Sequence, residues 1–285
     1  AASDVYKRQP IECYDIIEND MTYLYYRGKP LYPFGHGLSY AKFEYSDFNV
    51  KENGDVISVS LDVANVSETD SDEVVQIYFR MENPSVKRPL RQLVAFARER
   101  IEGGRTRHFE FDIKKSELRF YDVSRERFAV EQGRYTFMAG ASSEDIRLTK
   151  TIDVSGEIIP PRELCKGVKA KNYDGKYGTK MKYSKKLEQH YMLGGGLIYN
   201  NCVLGEADSI EIVCGSRVNT GKITVRYGGE TLCEAEVKPT VDVTEFETVT
   251  AQFDKAVLAG IDREKPAVFE LLMPEQIYIL GFRTY

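Results

Sequence analysis

Ile57-Ser58-Val59-Ser60-Leu61-Asp62-Val63 alternates apolar and polar residues without a break. Successive side chains of a strand point to opposite faces, so this run reads as a half-buried β-strand. The same period recurs outward from it. Val75, Ile77 and Phe79 alternate with Gln76, Tyr78 and Arg80; Phe109, Phe111 and Ile113 with His108, Glu110 and Asp112; Tyr135, Phe137 and Ala139 with Thr136 and Met138. Phe43, Tyr45 and Phe48 open a further strand. Turn signals separate these runs at Glu52 to Asp55, Ser67 to Asp72, Gly103-Gly104 and Gln132-Gly133. Short alternating strands so spaced predict a β-sandwich, with Tyr135 placed like a tyrosine-corner residue.

A chain of 285 residues that is 42% hydrophobic can fill two cores. A charged fraction of 29% and a net charge of −5 argue against nucleic acid as a partner, which calls for a basic surface. No apolar run is long enough to span a membrane, so no membrane partner is expected. The first residue is not Met, and Ala1 to Gln9 read as a scar ahead of a fragment of a longer chain. Secreted, periplasmic and cytoplasmic bacterial locations all stay open. Cys13, Cys165, Cys202, Cys214 and Cys233 have neither CxxC spacing nor an even count. They read as buried thiols in strands. Trp is absent and Tyr numbers 19, so any sugar-stacking surface must use Tyr or Phe.

Pro160-Pro161 disfavours both helix and ladder pairing, and 156–165 reads as a linker. Strand patterns resume beyond it at Leu197 to Cys202, Ile210/Ile212/Cys214, Ile223/Val225/Tyr227, Leu232 to Val237, Thr248 to Phe253, Val268 to Met273 and Ile277 to Tyr285. Gly228-Gly229 reads as a two-residue hairpin turn. The fold class expected is therefore all-β: two tandem sandwiches, fibronectin III or immunoglobulin-like over 29–155 and jelly-roll over 166–285, behind a lead-in of 1–28.

The stretch Lys29-Pro30-Leu31-Tyr32-Pro33-Phe34-Gly35-His36-Gly37-Leu38-Ser39-Tyr40 reads as a docking loop. Its prolines hold the chain extended, and Gly35 and Gly37 permit positive φ around His36. Leu31, Phe34, Leu38 and Tyr40 are apolar bodies that need cover, which places the loop between two layers of protein. Tyr32, Pro33, Phe34, Gly35, His36, Gly37 and Leu38 are its candidate interdomain contacts. The segment PLYPFGHGLSYAKFEYSDF, followed in order by DEVVQIYFR, SVKRPLRQLVAFARE, LRFYD and VEQGRYTFMAGASSEDIRL, resembles the fibronectin type III-like domain that closes family 3 glycoside hydrolases, the β-glucosidase and β-xylosidase family. That resemblance covers about 130 residues. It implies a retaining enzyme with two carboxyl groups about 5 Å apart. In the family both lie in a barrel and an α/β domain that precede this stretch. The resemblance therefore gives this chain no catalytic residue and no cofactor, and makes the missing N-terminal catalytic domains its first partner.

The second half is similar to family 6-type carbohydrate-binding modules, through Val168-Lys169-Ala170-Lys171, Tyr191 with Gly194-Gly195-Gly196-Leu197-Ile198, Glu245-Phe246-Glu247-Thr248 and Ile279-Leu280-Gly281-Phe282-Arg283. The resemblance makes a β-glycan oligosaccharide the second candidate partner. It places Tyr191 and Phe246 on platform loops, with Tyr177 behind them; aromatic core positions are the competing reading for all three. Lys169 and Lys171 stand where those modules carry calcium-binding glutamates, so no metal site is expected; Leu280 or Tyr278 stands where they carry a sugar-binding Asn, which counts against the usual binding cleft. Ser67 to Glu73 reads as a solvated acidic turn. His36 reads as a packing residue, and His108 and His190 as unclustered. The lysines from Lys166 to Lys186 read as a solvated face.

Overall fold

The computed structural model describes residues 16–17, 19–240 and 245–285. Ala1 to Gln9 and Cys13 lie outside them. Two compact units are present. The first runs through Tyr121 and takes in Phe128–Ile159; the second comprises Asp122–Arg127 and Pro160–Tyr285. Both are built of strands, as an all-β chain of sandwiches requires.

The first unit opens with a single helical turn, α1 (Thr22–Tyr25). Its strands are β1 (Phe43–Asn53), β2 (Val56–Asn65), β3 (Ser71–Met81), β4 (Gln92–Ile101), β5 (Thr106–Lys114), β6 (Phe120–Asp122), β7 (Arg127–Ala129), β8 (Gly133–Gly140) and β9 (Ile146–Val154). One sheet has the order β1-β2-β5, the other β4-β3-β8-β9, and β6 pairs with β7. The alternation in β2 does what it predicts. Ile57, Val59, Leu61 and Val63 are buried, and they share one core with Val75, Ile77, Phe79, Tyr135, Phe137 and Ala139. Asn65 ends the run. Its buried side chain donates to Thr69 O (2.8 Å) and Ile101 O (3.0 Å) and accepts from Ser67 N (3.0 Å), so one amide shapes the β2–β3 turn. The Tyr135 hydroxyl donates to Glu131 O at 2.8 Å, which is tyrosine-corner geometry. Burial pushes that phenol up to about 12.

The second face of the four-stranded sheet departs from the expected half-burial. Gln76, Tyr78, Thr136 and Met138 are buried as well as their inward neighbours. Residues 21–37 lie against this sheet at Gln76 and along its flanks: Gln76 Nε2 donates to Gly35 O, Leu90 N to Leu24 O (2.7 Å), Leu93 N to the Tyr23 hydroxyl (3.4 Å) and Ser143 N to Phe34 O (2.9 Å), while Thr136 is bonded to Glu82 and Thr151.

The second unit contains β10 (Arg162–Glu163), β11 (Val168–Lys169), β12 (Gly175–Tyr177), β13 (Lys180–Ser184), β14 (Gln189–Val203), β15 (Ser209–Ser216), β16 (Gly221–Tyr227), β17 (Glu230–Val237), β18 (Glu247–Gln252), α2 (Lys255–Gly260) and β19 (Ala267–Thr284). Gly228 and Gly229, at φ 58° and 93°, form the hairpin turn between β16 and β17. β14 and β19 are long and belong to both layers. At one end they lie in the order β13-β14-β19-β15-β18, at the other in the order β12-β14-β19-β16-β17. Met192, Ile279 and Cys214 from the first layer and Leu197, Leu271 and Val225 from the second meet in one core.

Three expectations are corrected here. Val268 to Met273 and Ile277 to Thr284 lie on one strand, β19, with a bulge between them. Leu193 faces Tyr278 and Gly195 faces Met273, so a single residue of β14 spans four of β19. That bend needs Gly194 and Gly195, both at positive φ; a Cβ on Gly194 would sit 2.8 Å from Glu275 Cα. The end of the expected linker is part of the unit: Arg162 and Glu163 pair with Cys202 and Val203, and Leu164 is fully buried. Cys165 is exposed in a 3-10 turn, whereas Cys202 and Cys214 are buried in strands with thiols pushed up to about 12.

Two measurements follow. Glu52 accepts from Lys115 Nζ (2.6 Å), Ser155 N (3.0 Å) and Ser155 Oγ, fastening the end of β1 to residues beyond β5 and β9. These bonds outweigh the opposing effect of burial and hold its carboxyl below the ordinary value. A depressed carboxylate contributes stability above its unfolded pKa and loses it as pH falls through the folded one. Glu52→Gln is therefore expected to lower the urea midpoint at pH 7 and to shrink the difference between pH 7 and pH 3. Gly195→Ala is expected to cost at least about 1–2 kcal/mol in urea unfolding, because φ is +73° and the new Cβ would lie 2.3 Å from Tyr177 O.

Candidate functional site

The loop of residues 29–40 is fastened on one side only. Gln76, buried in β3, donates through Nε2 to Gly35 O (3.2 Å) and Ala141 O (2.6 Å), and its Oε1 accepts from the Tyr78 hydroxyl (2.5 Å). Gly35 sits at φ +77°, and a Cβ there would fall 2.1 Å from Gln76 Oε1. Only glycine permits that approach. His36 N donates to Pro33 O (3.0 Å), closing the turn. The Phe34 ring stacks on Tyr23 with centroids 4.1 Å apart and planes 10° from parallel. His36 lies against Tyr32 at 5.4 Å. Gly37 is not at positive φ, and a Cβ there would meet open space, so the bend needs one glycine where two were expected.

The other side of the loop is open. Leu31, Tyr32, Leu38 and Tyr40 are 73%, 71%, 94% and 103% exposed. Within this unit the loop therefore has one protein layer beneath it, not two. Phe96 of β4 and Val66 extend the apolar area, and a groove of about 900 Å³ runs between them and residues 34–42. A second groove of about 570 Å³ lies on the Tyr23, Pro30 and Tyr32 side. Four carboxylates border the first, Glu44, Asp72, Glu73 and Asp145. Glu73 is buried, accepts from the Tyr45 hydroxyl (2.9 Å) and faces Arg147 (3.3 Å), which also holds Asp145 (2.9 Å). Burial raises Glu73 above the usual carboxylate range against both partners, and burial beside Glu73 raises the Tyr45 phenol. The acidic stretch is exposed from Glu68 to Asp70, where Asp70 accepts from Gly103 N (3.0 Å), and half-buried at Asp72, which pairs with Arg98 (2.7 Å); Glu73 is its one buried residue. Glu73 and Asp145 are held by one guanidinium rather than facing each other across open space.

The aromatic candidates of the second unit divide. Tyr191 is buried within β14 rather than placed on a loop. Its ring packs edge-on against Phe246 (6.0 Å) and Tyr278 (5.7 Å), in a small cluster with Leu193 and Leu280. The Tyr278 hydroxyl shares a hydrogen bond with Thr240 Oγ1 (2.5 Å) and donates to Glu245 O (3.0 Å), pinning both flanks of the β17–β18 connection over that cluster. Phe246 is half-buried there. Tyr177, on β12, is half exposed and stands apart from the other two.

Among the described residues no three His, Cys, Asp or Glu side chains stand together as a metal site. Lys169 pairs with Glu126 at 2.7 Å. His108, expected to have no cluster, lies between Asp62 (2.5 Å) and Glu110 (3.6 Å), and the hydrogen bond to Asp62 raises its pKa. Gln76, the residue that holds the loop, was read as one polar position in an alternating strand. The available signal was Tyr78 and Met138, bulky residues recurring on the supposed solvent face.

Part of this chain is similar to known proteins. Residues 73–143 match the family model of the fibronectin type III-like domain. The chain is 36% identical over 143 residues to thermostable β-glucosidase B of Acetivibrio thermocellus, covering 48% of this chain and 19% of that protein. It is 38% identical over 132 residues to a putative β-xylosidase of Formosa agariphila, covering 45% and 17%. The solved structure of a β-glucosidase from Kluyveromyces marxianus in complex with glucose aligns at 34% identity over 48% of this chain and 17% of that one, with a TM-score of 0.45. The chain thus spans about a fifth of the length of the curated relatives it matches. It carries a fibronectin type III-like domain and is homologous to a part of β-glucosidases and a β-xylosidase.

Proposed function

We propose that this chain is the non-catalytic C-terminal part of a family 3 glycoside hydrolase of β-glucosidase or β-xylosidase type, one that cleaves terminal β-glycosidic bonds in plant-type glycans. Its first domain, residues 29–155, braces the catalytic domains that precede it. Its second, residues 166–285, docks on them or holds β-glycan near the active site, raising the local substrate concentration. The observation that carries the first role is the one-sided loop. Gln76 and Ser143 fix its inner edge, while Leu31, Tyr32, Leu38 and Tyr40 point an apolar edge outward. Exposed apolar groups so grouped are the mark of a contact surface. The buried Tyr191–Tyr278 cluster favours a second reading of the second domain, as a structural module without glycan affinity.

The test places Leu38→Asp and Tyr40→Asp in two contexts. In the 285-residue chain both side chains already face water, so the variants should change stability by less than about 0.5 kcal/mol. In the intact enzyme they should lower the melting temperature and weaken the hold on the catalytic domains. Equal effects in the two contexts would remove the bracing role. The 285-residue chain should leave p-nitrophenyl β-glucoside and β-xyloside intact, and turnover by the purified chain would sink the non-catalytic reading.

A further inference from the structure

Tyr177 and Tyr278 make the same contact with opposite outcomes. Each lays its ring across a glycine of the neighbouring strand. A Cβ on Gly215 would come within 2.7 Å of Tyr278 Cζ, and one on Gly196 within 2.2 Å of Tyr177 Cζ and 2.6 Å of its Cε2. An aromatic ring over a strand glycine shields exposed backbone and is stabilising in itself. Tyr278 is then covered by Thr240, Glu245 and Phe246 and is fully buried. Tyr177 has one face on Gly196 and is 50% exposed.

The register shows what surrounds it. Tyr177, Gly196, Leu272 and Thr224 stand opposite one another across β12, β14, β19 and β16, and Gly175, Ile198, Glu270 and Arg226 form the next row on the same face. The intervening residues Leu197, Leu271 and Val225 point into the core. Directly paired residues share a face, so the rows form one outward surface about 14 Å across. Two of its positions are glycine, which leaves it low around the ring. Glu270 and Arg226 both act on the Tyr177 hydroxyl, the carboxylate raising its pKa after burial and the guanidinium lowering it. Arg226 Nε is out of water with no hydrogen-bond partner.

An aromatic face flanked by an anionic acceptor and a planar donor fork matches the chemistry of a pyranose. The ring covers the apolar C–H face, while carboxylate and guanidinium take hydroxyls at the edge. The opposite charges cancel, which suits an uncharged chain. The rows lie along one sheet face, which suits an oligosaccharide lying across it rather than a single enclosed sugar. We propose that this face of the second unit is a binding platform for a neutral β-linked oligosaccharide, with Tyr177 stacking on one sugar and Glu270 and Arg226 holding the hydroxyls of its neighbour. The proposal rests on the reading of the second domain as a glycan-holding module, and it moves the site away from Tyr191 and Phe246.

The test is calorimetric titration of the full 285-residue chain with cellohexaose and with xylohexaose, beside Tyr177→Ala, Glu270→Gln and Arg226→Met. Saturable binding of one hexaose is expected, weakened at least about tenfold in each variant, the scale of one lost charge-assisted hydrogen bond. Glu270→Gln and Arg226→Met should keep the parent melting temperature, so they carry the test if Tyr177→Ala does not fold. Binding that all variants retain would overturn this site and leave the glycan-holding reading standing elsewhere. Binding of neither hexaose would overturn both, and leave Tyr177 as a shield for the Gly196 backbone.

Discussion

The first unit depends on one buried primary amide. Gln76 lies on a strand whose neighbours fill the core from one side, and on the other side it meets two carbonyls and a phenol. A buried amide without partners is costly, so the segment carrying Gly35 is the means by which β3 can be buried on both faces. The dependence is mutual. Gly35 lies where no Cβ fits, and its carbonyl has its protein donor in Gln76. Loop and sheet therefore specify each other, and the outward edge of the loop is held in place by a contact on its inward edge.

How much of this was legible depended on how local the cause was. The β2 alternation, the tyrosine corner and the Gly228-Gly229 turn rest on neighbouring residues, and they read directly. The second burial of β3 does not. It arises because residues 21–37, far away in sequence, lie against that face at Gln76, and period-two reasoning assigns one face of a strand to solvent by default. The loop itself was visible as a cluster of Pro, Gly and apolar residues; its amide anchor was not, since a Gln in an alternating strand is ordinary. In the second unit, β13 went unread because Lys180 and Lys182 interrupt the apolar pattern. Tyr191 was placed on a loop by the resemblance to carbohydrate-binding modules, which leaves the role of the glycines after it unread. They are the bend of a strand that continues.

The candidate sites show why residue type alone locates a surface poorly. Tyr191, Tyr278 and Tyr177 are chemically equivalent, and two of them are core. The difference is what lies over the ring. Thr240, Glu245 and Phe246, packed over the Tyr278 ring and its hydroxyl, turn one tyrosine–glycine pair into a satellite core, and the lack of glycine-flanking bulk at Gly175 and Gly196 leaves the other open. Burial, not aromaticity, separates packing from recognition here.

β19 is shared by both layers of the second unit, and this bears on how that unit comes apart. A strand that ends inside one layer can fray without disturbing the other. β19 cannot: Leu271 and Ile279, on either side of its bulge, hold opposite layers to the same core. Loosening one half strips neighbours from both. The two layers are thus a single cooperative element, and slow amide exchange should extend across the bulge at Pro274 instead of stopping there.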